Sequence, residues 1–224
     1  MTRSLRRSLM QPIPEIFEVA RLLSSGVDAH LAGDRKTADR CFAEANSPVV
    51  WQYTDAAWGA GCRVRHGFIS IPDGPPYLAK DARPVPRMPT PATKKAVVER
   101  DGYHCRFCGI PVVDPAIRTL LNREYPDTVT WTNRNAGQHA AFQCMWLQYD
   151  HVLPNSRGGE SSLENVVVTC APCNFGRMET TLAEACLLNP LSLPVEPRWD
   201  GFAAWDGLER LRRIPVLAAT ERNG

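Results

Sequence analysis

Two Cys-x-x-Cys pairs, Cys105/Cys108 and Cys170/Cys173, bracket the segment Tyr149-Asp150-His151-Val152-Leu153-Pro154, and Asn174 follows the last cysteine directly. A Cys-x-x-Cys turn aims both sulfurs at one point, and two such turns complete a tetrahedral four-cysteine zinc site with bonds of about 2.3 Å. With every position filled by thiolate, such a site is structural, and chemistry must take place elsewhere. Asp150, His151, Asn165 and Asn174 are the residue types that metal-dependent hydrolysis of a phosphodiester needs: a hard anionic oxygen, an imidazole titrating near neutrality, and amides. The 61 residues between Cys108 and Cys170 exceed the spacing in a compact zinc ribbon, so an insertion is looped out between the knuckles. A redox role for either pair would require a thioredoxin-like βαβ context, which the pattern lacks.

The composition bounds what can surround such a site. A chain of 224 residues can bury one sizeable core, or one core and a small satellite. Hydrophobic residues make up 44% and charged residues 22%, the balance of a globular protein. The net charge of +2 excludes a histone-like polycation, while leaving room for basic residues gathered on one face. Cys41, Cys62, Cys144 and Cys186 are scattered among apolar or small residues, unlike a secreted disulfide scaffold. The pattern suits a reducing compartment with one structural metal. The arginines near Met1 are not followed by an apolar signal segment, and no apolar run approaches a membrane span, so a cytoplasmic location is expected.

Positioning such residues requires specific elements. Apolar residues recur at helical spacing from Pro14 to about Leu31; Asp34 can cap a second helix to about Asn46, and Ser47-Pro48 a third bearing Trp51, Tyr53 and Trp58. Residues 1–71 thus read as a small helical unit whose aromatics pack rather than stack on bases. Residues 72–92 are rich in proline, with Lys80, Arg83 and Arg87 among them, and read as an extended linker. A basic strap along a phosphate backbone is the other reading. Residues 93–189 form the second domain, with an insertion at 110–147. It holds a short helix over Thr93–Arg100, a turn at Asp101-Gly102, a helix from Asp114-Pro115, a short strand over Thr128–Thr132, and an apolar span, Ala140–Leu147, that fits helix or strand. Gln148–Leu153 and Asn165–Thr169 read as paired strands, followed by a helix from Cys170 to about Leu188. Residues 190–224 form an extension with two Trp-Asp-Gly tripeptides, too few to make a repeat, and a short helix over Leu208–Arg213. The fold class is α+β.

The run Arg100-Asp101-Gly102-Tyr103-His104-Cys105-Arg106-Phe107-Cys108-Gly109, then Asp150-His151, Pro154, Gly158-Gly159, Leu163-Glu164-Asn165 and Cys170-Ala171-Pro172-Cys173-Asn174, resembles the HNH (His-Asn-His) endonuclease family over roughly residues 93–185. The third signature position is Asn174 in place of histidine, and the insertion lengthens the domain; both variations occur in that family. The resemblance implies a ββα-metal fold on a four-cysteine zinc site, and a single-metal endonuclease with double-stranded DNA as its expected substrate. Restriction, mobile-element or phage defence would be its setting. It implies that Asp150 and Asn174 ligate a catalytic Mg²⁺ or Mn²⁺, that His151 is the general base, and that Asn165 holds the histidine-bearing loop.

Arg177, one turn beyond Asn174, and Arg157, in the hairpin loop, are candidates to clamp a phosphate oxygen or simply to face solvent. His104 reads as a surface residue or phosphate contact; His30, His66 and His139 read as structural. Taken singly, Asp150 could be a strand-edge charge, His151 a buried histidine, and Asn165 and Asn174 a turn and a helix cap. Their conjunction around the knuckles favours catalysis. The alternative is a zinc-stabilised module that grips nucleic acid without cutting it. Residues 1–70 are a candidate docking unit for a protein partner.

Overall fold

Proline stands in the first turn of five of the eight α-helices described, and in three of these it follows a residue whose side chain accepts from an exposed amide. The computed structural model describes residues 4–195 and 201–213. Helices α1 (Pro14–Leu31), α2 (Arg35–Ala45) and α3 (Pro48–Trp58) follow the expected order. Asp34 accepts from Thr37 N (3.0 Å) and Ser47 from Val50 N (3.5 Å), each satisfying an amide the helix cannot. Thr90 caps α4 (Pro91–Asp101) and Asp114 caps α5 (Pro115–Glu124) in the same way. A short α6 (Ala140–Cys144) precedes β1 (Gln148–His151) and β2 (Val166–Thr169), which pair antiparallel with Asp150 opposite Val167 and His151 opposite Val166. Helix α7 (Ala171–Arg177) follows at once, giving the ββα order, and α8 (Arg210–Arg213) ends the described chain.

Helices α1 and α2 form a tight antiparallel pair. At their crossing a side-chain carbon on Gly26 would lie 2.6 Å from the Phe42 ring, so only glycine lets the two approach. Helix α3 is the bridge to the rest, packing on α6 and α7. Its Trp58 meets Phe175 of α7 edge-to-face with centroids 4.6 Å apart, and its Tyr53 is buried toward Cys108, Cys170 and Cys173 of the knuckles. The aromatics of the helical unit therefore pack, and one buried apolar cluster runs from Ile16 through the hairpin to Leu208 and Leu211.

Several local expectations are corrected. Thr128–Thr132 is not a strand: Val129 is buried, its N–H returns to the Tyr125 carbonyl and its C=O accepts from Asn122, so the segment closes a turn on α5. Of the apolar span, Ala140–Cys144 is helical, and Trp146 makes an isolated bridge with Val113. The helix entered at Cys170 stops at Arg177 instead of running to Leu188. Met178 takes a left-handed backbone (φ 52°), and the Arg177 side chain holds the Thr180 carbonyl at 2.7 Å, turning the chain away. Helix α8 starts at Arg210, two residues later than expected, with Leu208 and Leu211 docking it on the core. Pro197, Trp199 and Asp200 of the tail lie outside the described residues.

The proline-rich segment is largely extended, with one 3-10 turn at Lys80–Ala82, and it is also pinned. Leu78 N donates to the Ser156 carbonyl (2.8 Å), Asn155 Nδ2 to the Pro84 carbonyl (2.8 Å), and Ser161 Oγ to the Arg87 carbonyl (2.9 Å). It thus lies as a strap across the loop that joins β1 to β2.

His139 ties the insertion to α2: it is fully buried, with Nε2 2.8 Å from the Phe42 carbonyl. Burial pulls its pKa down to about 4. Its stabilising contribution is complete above the unfolded imidazole value near 6.5 and is lost as pH falls toward 4, because the unfolded chain takes the proton first. Urea denaturation should show about 2 kcal/mol of stability lost through this group between roughly pH 7 and 5, a component His139→Gln removes.

Candidate active site and metal centre

The first knuckle hangs from α4. Asp101, read from sequence as a turn residue, is fully buried: its carboxylate takes both the Nε and Nη2 of Arg100 (2.7 and 2.8 Å), lies 3.5 Å from Arg106 Nε, and accepts from Val168 N at 2.9 Å. One carboxylate thus bolts the end of α4 to β2. Arg106 N adds a bond to the Val168 carbonyl (2.9 Å), so the knuckle sits directly against the strand that leads to Cys170. The four sulfurs of Cys105, Cys108, Cys170 and Cys173 come within 4.8 Å of one another, all buried. This cluster can hold a metal ion and is able to bind zinc. Burial holds protons on Cys108 and Cys170, and hydrogen bonds to Cys105 do so on Cys173. Cys105 is different: burial would raise it, but hydrogen bonds from its three neighbours take it well below the ordinary thiol value. Neighbouring thiols contending in this way for a few protons suit a cation at their centre.

Asp150 and His151, adjacent on β1, face different surroundings. Asp150 is buried, and Arg177 grips it with two bonds, Nε to Oδ2 at 3.1 Å and Nη2 to Oδ1 at 2.6 Å. Burial raises the carboxyl's proton affinity and the guanidinium opposes the rise. Each carboxylate oxygen keeps a further lone pair beyond the one Arg177 uses. His151 is half-buried, its pKa lowered by burial and then by the positive charges of Arg177 and Arg87. Its Nε2 lies 2.9 Å from Ser161 Oγ. The Ser161 hydroxyl spends its single proton on the Arg87 carbonyl, so toward the imidazole it can only accept. That fixes the proton on Nε2 and leaves Nδ1 with its lone pair, the form a base must have.

The Asn165 amide closes the loop behind His151. Its Oδ1 accepts from Leu153 N (2.8 Å), and its Nδ2 donates to the carbonyls of Leu153 (3.1 Å) and Glu160 (2.8 Å). Gly159 makes room for this: a side-chain carbon there would fall 1.7 Å from the Leu153 carbonyl oxygen and 2.7 Å from Asn165 Nδ2. Asn174, in the first turns of α7, donates Nδ2 to Gln148 Oε1 at 3.2 Å, which leaves its own carbonyl oxygen uncommitted to that bond. Gln148, Asp150, His151 and Asn174 line one cavity of about 320 Å³. Arg83 and Arg87 of the strap also line it.

The two arginines expected at a phosphate are placed differently. Arg177 is 1% exposed and committed to Asp150, to the His151 carbonyl and to the Thr180 carbonyl. Arg157 pairs with Glu184 at 2.8 Å, bonds the Pro75 carbonyl and stacks on Tyr77, 3.6 Å from the ring centroid. Both arginines are used inside the protein, one to orient Asp150 and one to fasten the strap. His104 is likewise engaged, with Nε2 2.9 Å from the Phe202 carbonyl. Ser161 escaped the sequence reading, which gives Asp101 only as a turn residue and Arg87 only as one of the basic residues of the linker or strap. Their roles come from partners dozens of residues away, and only the proximity of Ser161 to His151 in the chain hinted at one.

Residues 141–186 match the model of the HNH endonuclease family, a span of about a fifth of the chain that includes Asp150, His151, Asn165, the second knuckle and Asn174. This segment is of the HNH endonuclease type. The mixed architecture, a small antiparallel hairpin among helices with a four-cysteine cluster, is consistent with such a domain. No curated protein and no solved structure matches the chain. The first knuckle lies outside the matched span, and the fold is what delivers Cys105 and Cys108 to it.

Elemental analysis of the purified protein should return one tightly held ion per chain, and Cys170→Ser should lose it. Because thiolates must be free of protons to bind metal, release to a chelator should quicken as pH falls, with α4 and the hairpin coming apart together in hydrogen exchange.

Proposed function

We propose that this protein is a metal-dependent endonuclease that hydrolyses phosphodiester bonds, with double-stranded DNA as its substrate. The observation that carries the reading is the shared cavity onto which Asp150, His151 and Asn174 all open, at the centre of a segment of the HNH endonuclease type. Zinc in the four-cysteine cluster is the structural ion, since four thiolates suit it and leave no open position. Asp150 and Asn174 would hold a Mg²⁺ or Mn²⁺ ion. Two oxygen donors fit a small hard cation that keeps several waters and takes the rest of its shell from the substrate phosphate. When bound, that ion supplies charge stabilisation on the phosphoryl oxygens and the leaving 3′-oxygen.

The chain's own residues do the rest. His151 Nδ1 takes a proton from the attacking water as its oxygen bonds to phosphorus. The P–O3′ bond breaks, and the departing oxygen is protonated by solvent, giving 5′-phosphate and 3′-hydroxyl ends. Ser161 holds the imidazole in the base form, Asn165 holds the loop that carries it, and Arg177 holds Asp150. A cytoplasmic setting, suggested by eight cysteines with no disulfide among them, would keep the knuckles reduced.

One observation favours a second reading, a module that binds nucleic acid without cutting it. The grip of Arg177 partly neutralises Asp150, weakening it as a ligand. A plasmid cleavage assay separates the two. Wild type should cut with Mg²⁺ or Mn²⁺ and not when the metal is withheld, and His151→Ala should lose about 10²–10⁴-fold in rate while keeping its circular dichroism. Intact plasmid under every divalent metal would decide for the binding module.

A further inference from the structure

The strap between Pro75 and Met88 carries cations that the rest of the protein does not neutralise. Arg83 donates its Nε to the Leu78 carbonyl (3.1 Å), an uncharged partner, and Arg87 is exposed. Among the described residues neither forms an ion pair. Yet both line the cavity with Gln148, Asp150, His151 and Asn174. They stand in contrast to Arg157 and Arg177, whose charges are matched by Glu184 and Asp150. An unmatched pair of guanidiniums beside a hydrolytic centre is positive potential held where an anion must come to rest.

The strap is built to hold them there. Pro84, Pro86 and Pro89 restrict the backbone, and the bonds from Ser156, Asn155 and Ser161 fasten it at three points on the hairpin loop. Little ordering remains to oppose binding, because the chain is fixed before ligand arrives. Guanidinium forks match phosphate oxygens, and the shared chemistry of DNA and RNA at this position is the phosphodiester backbone.

We infer that the strap is the substrate-gripping element of this site, with Arg83 and Arg87 clamping the phosphodiester backbone beside the bond to be cut. This rests on the nuclease reading above, and the experiment separates the two. Affinity is measured by fluorescence anisotropy on the full chain in a His151→Ala background, so that cutting plays no part and no chelator is needed. The probes are two short DNA duplexes of unrelated sequence and a single-stranded RNA.

Arg83→Ala and Arg87→Ala should each weaken binding about tenfold at roughly 0.1 M salt and lower the log–log salt slope by about 0.9. The loss should be equal on both duplexes, because backbone contacts carry no base information. Arg83→Lys, which keeps the charge, should recover most of the affinity if the strap remains seated. Arg40→Ala, on the outer face of α2 and paired with Glu44, should leave binding unchanged. An unchanged Kd and slope in the double variant would overturn the inference, as would a loss confined to one duplex sequence. A larger loss on RNA than on duplex DNA supports the clamp and moves the substrate to RNA. Binding that depends on the two arginines in a protein that never cuts would sink the nuclease reading and leave the clamp standing.

Discussion

Four buried sulfurs gathered within a few ångströms are the constraint on which this molecule turns. One pair follows α4, and the other runs from Cys170 at the N-cap of α7 to Cys173 within it, so joining them fixes helix, hairpin and second helix relative to one another. Tyr53 of α3 and Cys144 of α6 seal the cluster from behind, and burial pushes the Cys144 thiol up to about 12, keeping it protonated beside its reactive neighbours. Asp101 adds a second clasp from α4 to β2 through Val168. The Arg106 amide and the Arg100 side chain add further ties, to the carbonyls of Val168 and Val166.

Electrostatics in the cavity are arranged by burial and by pairing in about equal measure. Asp150 would be a poor anion in an apolar setting, and the Arg177 grip keeps it oriented toward the cavity with an anionic character it could not sustain alone. Arg177 in turn is aimed by the carbonyls of His151 and Thr180, which also end α7. A short helix is the consequence of spending its last side chain on Asp150 and on the carbonyls of His151 and Thr180. Among the described residues His151 receives no carboxylate partner; its ring is set by a serine and a main-chain carbonyl, neutral groups that fix the proton's place without raising its affinity.

Much of this was legible in the residues themselves. Cysteine spacing, the three valines of β2 and the caps at Asp34, Ser47 and Asp114 are local signals, and each stands in the structure where its chemistry puts it, whereas α4 opens at Pro91 behind a Thr90 cap, ahead of the Thr93 start read from sequence. What could not be read depends on partners far along the chain. Asp101-Gly102 has the form of a turn, and only the fold shows the aspartate buried against β2. Arg157 and Arg177 have the sequence context of phosphate ligands, and only packing shows them paired internally. Thr128–Thr132 alternates like a strand but has no neighbour to pair with, so burial of Val129 decides its shape instead. Proline content told that the segment ahead of α4 is largely extended; it could not tell what that segment lies against.

The manner in which the strap is fastened has an evolutionary side. Its three anchors on the hairpin loop use the strap's own main-chain atoms, the Leu78 amide and the carbonyls of Pro84 and Arg87. Peptide groups are common to all residues, so exchange of side chains along the strap need not unseat it. Such a segment can drift toward new charge patterns, and so toward new targets, while the imidazole and carboxylate beneath it are inherited untouched.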